Sequence, residues 1–175
     1  MADNLTTQQQ VDRRASAIRA REYLDMLSLN EGDIPNVYKD TKGKSTIGIG
    51  FNLDDSANQK FLKKSGINRN ELINGRPLNS QEKYTLYNHS LTQAFTDAQK
   101  FDSRFASRPE TVKKAIVDMS FNLGLTKLNK FKKMKEALEV DDYSTAADEM
   151  VDSDWYKQVN TRGPRTVGLM RSASK

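Results

Sequence analysis

Between Glu31 and Phe51 the chain reads EGDIPNVYKDTKGKSTIGIGF, and this stretch restricts the fold more than any other. Pro35 cannot sit in a helix interior, because it lacks an N–H and its ring clashes with the preceding turn. Asp40-Thr41-Lys42-Gly43 is turn chemistry: Asp bonds back to its own backbone and Gly supplies positive φ. On either side lie Val37-Tyr38-Lys39 and Ser45-Thr46-Ile47, and the pairing expected is a β-hairpin of these two runs. A Gly-alternating apolar run, Ile47-Gly48-Ile49-Gly50, follows at once.

Everything around that hairpin reads as helix. Residues 5 to 29 contain few breakers, and Ile18, Tyr23, Leu24 and Leu27 carry helical spacing. Asn30-Glu31-Gly32 is expected to end that helix, since Gly tolerates the left-handed conformation just past a C-terminus. Asp54 opens a short helix to about Lys64. Asn79 with Glu82 three residues on is a capping box, starting a helix that runs to about Phe101. Its apolar stripe is read as Tyr84, Tyr87, Leu91, Ala94, Phe95 and Ala98. Pro109-Glu110 starts the next helix, with Val112, Ala115, Ile116 and Met119 on one face and Gly124 as its stop. Leu128, Phe131, Met134 and Leu138 mark another, Ser144 to Val151 a further one, and a terminal helix follows Gly163-Pro164.

The architecture implied is α+β and mostly α: a small lobe with a β-hairpin, a larger helical lobe, and a long middle helix suited to joining them. The chain has 175 residues, enough for one domain in two lobes, and 36 % hydrophobic content supports a core. No apolar run is long enough for a transmembrane helix, so membrane insertion is not expected. The N-terminus, MADNLTTQQQVDRR, is too polar for a secretory signal. Cysteine is absent, which excludes a disulfide scaffold. With no Cys and one His, a zinc site is not expected either, nor any other metal or cofactor. That histidine, His89, falls off its helix's apolar stripe and is expected to face solvent.

The net charge of +5 draws the chain toward polyanions, whether nucleic acid, anionic lipid or a carboxylate-bearing cell wall. Lys127, Lys130, Lys132, Lys133 and Lys135 form the densest basic cluster, read as a solvated helix face. No helix-turn-helix or RNA-binding signature accompanies it, so nucleic-acid binding is not expected.

The hairpin string also carries chemistry. Glu31 is followed nine residues on by Asp40 and six further by Thr46. Hydrolysis of a glycosidic bond needs one carboxyl to protonate the leaving oxygen. A second must activate water or stabilise the oxocarbenium-like transition state. Two nearby acids are common, but the whole string is specific: E-G, then Y-K-D-T, ending G-x-x-T-I-G-x-G. It resembles the phage-type, T-even-like lysozymes of glycoside hydrolase family 24. Two further blocks match in the family's order. One is Ala115-Ile116, Met119, Phe121-Asn122-Leu123-Gly124 and Phe131. The other is Ser153-Asp154-Trp155-Tyr156 with Gln158, Arg162, Arg165 and Met170-Arg171. The resemblance covers roughly residues 22 to 172, leaving residues 1–21 as an N-terminal extension before a lysozyme domain of residues 22–175. Within that domain the small lobe would span about 31–79. The helical lobe would span about 80–175 together with the N-terminal helix.

The resemblance implies a muramidase that cleaves the β-1,4 bond between N-acetylmuramic acid and N-acetylglucosamine in bacterial peptidoglycan. Glu31, Asp40 and Thr46 would be its catalytic residues. Arg162 matches a position whose guanidinium pairs with the catalytic Glu. Phe121 and Asn122 match substrate-cleft positions, whereas Trp155 and Met119 read as core. The sequence also departs from the family: Phe51 stands where T-even members carry His, and Asn52 replaces an apolar residue at a saccharide-binding position. A monomer acting from the host cytoplasm after release by a holin, or one carried on a virion with other virion proteins, fits the family. The competing reading is a non-catalytic phage structural or wall-binding protein with the same fold. The intact Glu31, Asp40 and Thr46 argue against it.

Overall fold

The computed structural model describes residue 6 and residues 19–29, 34–40 and 43–174. The expected helix end at Asn30-Glu31-Gly32, the Thr41-Lys42 turn tip and most of the 1–21 extension lie outside them. The chain divides into two compact units, Met1–Asn88 and His89–Lys175.

In the first unit, residues 19–29 form α1, burying Tyr23 and Leu27 four residues apart on one face. A three-stranded antiparallel sheet follows, ordered β1 (Ile34–Lys39), β2 (Ser45–Gly48), β3 (Phe51–Asn52). The expected hairpin is present, with Tyr38 opposite Thr46 and Lys39 opposite Ser45. The ladder is irregular between Ile34 and Tyr38, the segment that holds Pro35, which has no N–H to give. The Pro35 carbonyl instead accepts from the Leu78 N–H at 2.9 Å, tying the approach to the long helix to this edge.

The third strand was not anticipated, and the alternating glycines explain it. Gly48 and Gly50 have φ of 65° and 95°, so the backbone reverses within two residues and returns as β3. Ile49 between them is buried. Gly48 is constrained twice, because a Cβ there would lie 2.7 Å from Cε1 of Tyr87. Ile47, Ile49, Phe51 and Leu53 point into a core shared with Leu62 of α2 (Ser56–Lys64), Leu72 of α3 (Arg69–Ile73) and Leu86. Asp55, one residue later than expected, caps α2 by accepting from Ala57 and Asn58 N–H. Asp54 has another task. It accepts from the Ser45 N–H at 2.8 Å and from Arg69 at 3.0 Å, clamping the start of β2 to α3. These contacts, the Ser45 N–H first, hold the Asp54 carboxyl below the usual carboxylate range.

The long helix α4 (Ser80–Phe101) begins at the expected capping box: Glu82 N–H bonds Asn79 Oδ1, and Asn79 N–H bonds Glu82 Oε2. Its buried stripe is rotated from the one expected. Tyr84 is 57 % exposed, and Leu86 and Phe101 are buried beside Tyr87, Leu91, Ala94 and Ala98. His89 is half-buried rather than solvent-facing, and burial pushes its pKa down.

The second unit is helical: the remainder of α4, a 3₁₀ turn at Phe105–Ser107, α5 (Glu110–Leu128), α6 (Lys132–Glu139), α7 (Tyr143–Val151), α8 (Asp154–Gln158) and α9 (Arg162–Arg171). α7 packs on both α6 and α9, and α5 packs on α9. Met119, Leu128, Met134, Leu138, Met150 and Met170 are buried at their junctions. Gly124, at φ 68° and ψ 163°, breaks α5 as expected, although one more helical turn follows it. α9 starts before Gly163-Pro164, not after. Pro164 falls in the first turn, where no intrahelical N–H is required. The short α8 was not anticipated from periodicity.

Replacing Gly48 with Ala would combine a left-handed backbone penalty of about 1–2 kcal/mol with the Tyr87 clash. Thermal unfolding should show a loss of at least about 1 kcal/mol, or a Tm lower by about 2–4 °C. An unchanged Tm would show that the turn does not depend on that glycine.

Candidate active site

Asp40 lies at the start of the hairpin turn, directly after β1. Its backbone carbonyl accepts from the Gly43 N–H at 2.9 Å, and its Oδ1 accepts from the Lys44 N–H at 2.8 Å. Its own N–H bonds the Lys44 carbonyl at 3.0 Å, so both backbone and carboxyl are held by a closed turn. Thr46 follows in β2, 3 % exposed, its hydroxyl donating to the Lys44 carbonyl at 3.2 Å.

Cross-strand register brings two candidate residues together: Thr46 is directly opposite Asn52 on β3 and Tyr38 on β1. Directly opposed residues share a sheet face. Ser45 takes the other face, where its hydroxyl accepts from Lys39 Nζ at 2.9 Å. Asn52 is half-buried and its Oδ1 accepts from the Asp54 N–H at 2.8 Å. That oxygen therefore serves the turn leading to α2. Glu31 lies outside the described residues. Phe51, in place of a polar residue, is buried and packs on Phe61 with ring centroids 6.4 Å apart.

In the helical unit, Phe121 is half-buried and Asn122 is exposed on α5, just before the Gly124 break. Trp155, at 5 % exposure, is core as expected, but it also donates its indole N–H to Asn122 Oδ1 at 3.0 Å. Met119 is fully buried. Nearby, an open groove of about 690 Å³ has Leu123, Phe131, Met134 and Trp155 among its lining, flanked by lysines of the basic cluster such as Lys127 and Lys130. Lys127, Lys130, Lys132 and Lys133 are exposed, as expected of a solvated face, and border this groove.

Arg162 is buried rather than on the surface, and its expected pairing with Glu31 falls outside the described residues. It is 4 % exposed and held by Asp118 of α5, which is fully buried. Its Nε donates to Asp118 Oδ2 at 3.0 Å, and its Nη2 donates to Oδ1 at 2.9 Å and to the Asp118 carbonyl at 3.0 Å. Thr166, one turn further along α9, donates its hydroxyl to Asp118 Oδ2 at 2.6 Å. Sequence reading missed Asp118. Its signal was an acid set inside the apolar run Ala115-Ile116-Val117-Asp118-Met119, which a buried charge occupies only with a partner. Among the described residues, no cluster of three or more His, Cys, Asp or Glu side chains could hold a metal.

The phage lysozyme family profile matches residues 29–174, most of the chain. The chain belongs to the phage lysozyme family. Among its relatives are two proteins of Dictyostelium discoideum. "Probable T4-type lysozyme 2" is 27 % identical over 160 residues, covering 86 % of this chain and 94 % of that protein. "Probable T4-type lysozyme 1" is 26 % identical over 166 residues, with the same coverage of both chains. The "pre-baseplate central spike protein Gp5" of Enterobacteria phage T4 is 30 % identical over 156 residues, covering 83 % of this chain but only 27 % of the spike protein. As a phage lysozyme family member, the chain has the mostly-α α+β fold seen here.

The buried ion pair yields a stability prediction. Truncating one member, as in Asp118→Ala, removes the buried carboxylate that Arg162 and Thr166 bond and should cost about 3–5 kcal/mol. The pair replacement Asp118→Leu with Arg162→Met removes both charges at similar volume and should recover most of that loss. Urea denaturation of the three proteins measures it. A double variant no more stable than Asp118→Ala would show that the broken ion pair is not what the single variant suffers from.

Proposed function

We propose that this protein is a muramidase, hydrolysing the β-1,4 bond between N-acetylmuramic acid and N-acetylglucosamine of bacterial peptidoglycan. The observation that carries the reading is the Asp40–Thr46 hairpin, a closed turn that fixes one carboxylate and one hydroxyl close together in the chain. Family membership supports lysozyme chemistry, and the names of the two Dictyostelium relatives support it further. Glu31 is the general acid, protonating the leaving oxygen. Asp40 acts as general base on a water, and Thr46 is that water's second anchor. A base working through water calls for inversion, and for carboxyl groups roughly 6.5–9.5 Å apart.

Arg162 would orient Glu31, and its charge would lower the pKa of that acid against the raising effect of burial. Asn52, Phe121 and Asn122 are assigned to the saccharide. Peptidoglycan is the natural partner, met after holin-mediated release or by delivery on a virion. The likeness to a phage spike protein supports the virion route. Among the described residues, no helix is long and apolar enough to cross a membrane.

The test is lysis of outer-membrane-permeabilised bacteria followed by turbidity. The native protein should clear the suspension. Glu31→Gln should fold and lose activity by at least the factor of about 10²–10⁴ that general acid help supplies. Thr46→Ala should also be severely impaired, having lost one anchor of the water. Native protein that binds cell walls without clearing them would favour the non-catalytic, wall-binding reading. Lysis at native rates by a folded Glu31→Gln would remove Glu31 from the mechanism.

A further inference from the structure

Asn74 is followed by Gly75, and no other asparagine of the chain precedes a glycine. The pairing matters because the main-chain nitrogen after an asparagine can attack that residue's own carboxamide carbon. A side chain on the following residue crowds the approach, and glycine has none. Asn74 and Gly75 are both exposed. A Cβ built at Gly75 would meet nothing within 4 Å, so that side of the turn is open. Among the described residues the Asn74 carboxamide makes no hydrogen bond. Asn79, which precedes the small Ser80, differs: its Oδ1 accepts from the Glu82 N–H at 2.9 Å.

The turn itself restrains the reaction. Asn74 ends α3 with φ −81° and ψ 11°, and its N–H bonds the Asn70 carbonyl at 2.9 Å. The nitrogen that would attack, that of Gly75, donates to the Leu72 carbonyl at 3.0 Å. The Arg76 N–H returns to the Glu71 carbonyl, also at 3.0 Å. The Arg76 side chain braces the turn, lying 2.8 Å from Glu71 Oε2 and bonded twice to Glu82 at 2.8 Å. While these bonds hold, the Gly75 nitrogen keeps its proton and stays turned from Cγ. Yet α3 has only five residues, of which Leu72 alone is buried, so its last turn opens at low cost.

We propose that Asn74 is a site of spontaneous deamidation, gated by opening of the turn that ends α3. In the opened turn the Gly75 nitrogen gives up its proton and bonds to Cγ. The Cγ–Nδ2 bond breaks, and the amide nitrogen takes up that proton and leaves as ammonia. Water then opens the five-membered imide. Attack at Cγ leaves an aspartate. Attack at the Asn74 main-chain carbonyl leaves an isoaspartate, in which the backbone runs through the former side chain. Either product adds one negative charge.

The test is peptide mapping by mass spectrometry of protein held at mildly alkaline pH, either folded or in urea. Asn74 should convert ahead of every other asparagine in both, giving aspartate and isoaspartate peptides that separate by chromatography. The folded rate should be lower by about tenfold or more, the factor that a modest opening cost imposes. Arg76→Gln should raise the folded rate toward that in urea and leave the rate in urea unchanged. Hydrogen exchange at the Gly75 N–H reports the same opening without any substitution, and its protection should match the ratio of the two rates. Folded protein whose Asn74 converts no faster than its other asparagines would overturn the site. Equal rates when folded and in urea, a folded rate untouched by Arg76→Gln, or an unprotected Gly75 N–H would overturn the gate.

Discussion

A fully buried carboxylate and a nearly buried guanidinium, Asp118 and Arg162, set the terms for the helical unit. Each ion alone would cost several kcal/mol to remove from water. The described hydrogen bonds of the pair, with the Thr166 hydroxyl and the Asp118 carbonyl, include four that run between α5 and α9. Directional bonds fix register as apolar packing alone does not, because sliding either helix by a turn would leave a charge without a partner. The consequence travels one turn along α5. Asn122 is four residues after Asp118, hence on the same helix face, and meets Trp155 of α8 there. One face of α5 thus receives α9 at Asp118 and α8 at Asn122, and the Gly124 break follows immediately.

The sheet unit depends on a different constraint, the two-residue reversal at Gly48 and Gly50. With β3 returned against β2, Thr46 acquires Asn52 as its cross-strand neighbour, and Phe51 is turned into the core against Phe61. Asp54, at the end of that return, reaches back to the Ser45 N–H and so anchors the strand that carries Thr46. The catalytic assignment proposed for Asp40 and Thr46 therefore lies on a hairpin braced at its turn end, by the Asp40 turn closing on Lys44 and by the Asp54 clamp on the adjacent Ser45. Preorganisation of this kind is what a water-activating pair requires, since the geometry must exist before substrate arrives.

What was legible in the sequence was local. The capping box at Asn79 and Glu82, the hairpin pairing of Tyr38 with Thr46, the Gly124 break and the helix opening at Glu110 all follow from residues a few positions apart, and each is found in place. The buried stripe of α4 was misread at its start, with Tyr84 in place of Leu86. A tyrosine's apolar ring counts toward a stripe even where its hydroxyl keeps it in water. β3 and α8 span two and five residues, too short for any periodicity to register. Asp118 and Arg162 are separated by 44 positions, and no pattern in the chain connects them. The resemblance marked Arg162 as significant without naming Asp118 as its partner. A separation of 33 positions likewise hid the bond between Asn122 and Trp155, of which Trp155 is core as expected.

The assignment of Asp40 to a water, rather than to the sugar carbon, is the claim from which the roles of Glu31 and Thr46 follow. Proton NMR of oligosaccharide freshly cleaved by the native protein, read before mutarotation, tests it most directly. Attack by an Asp40-activated water on a β-linked substrate inverts the anomeric centre, so the α-anomer should accumulate first at the new reducing end. Initial accumulation of the β-anomer would mean retention through a covalent intermediate, and would contradict the roles given to Asp40 and Thr46.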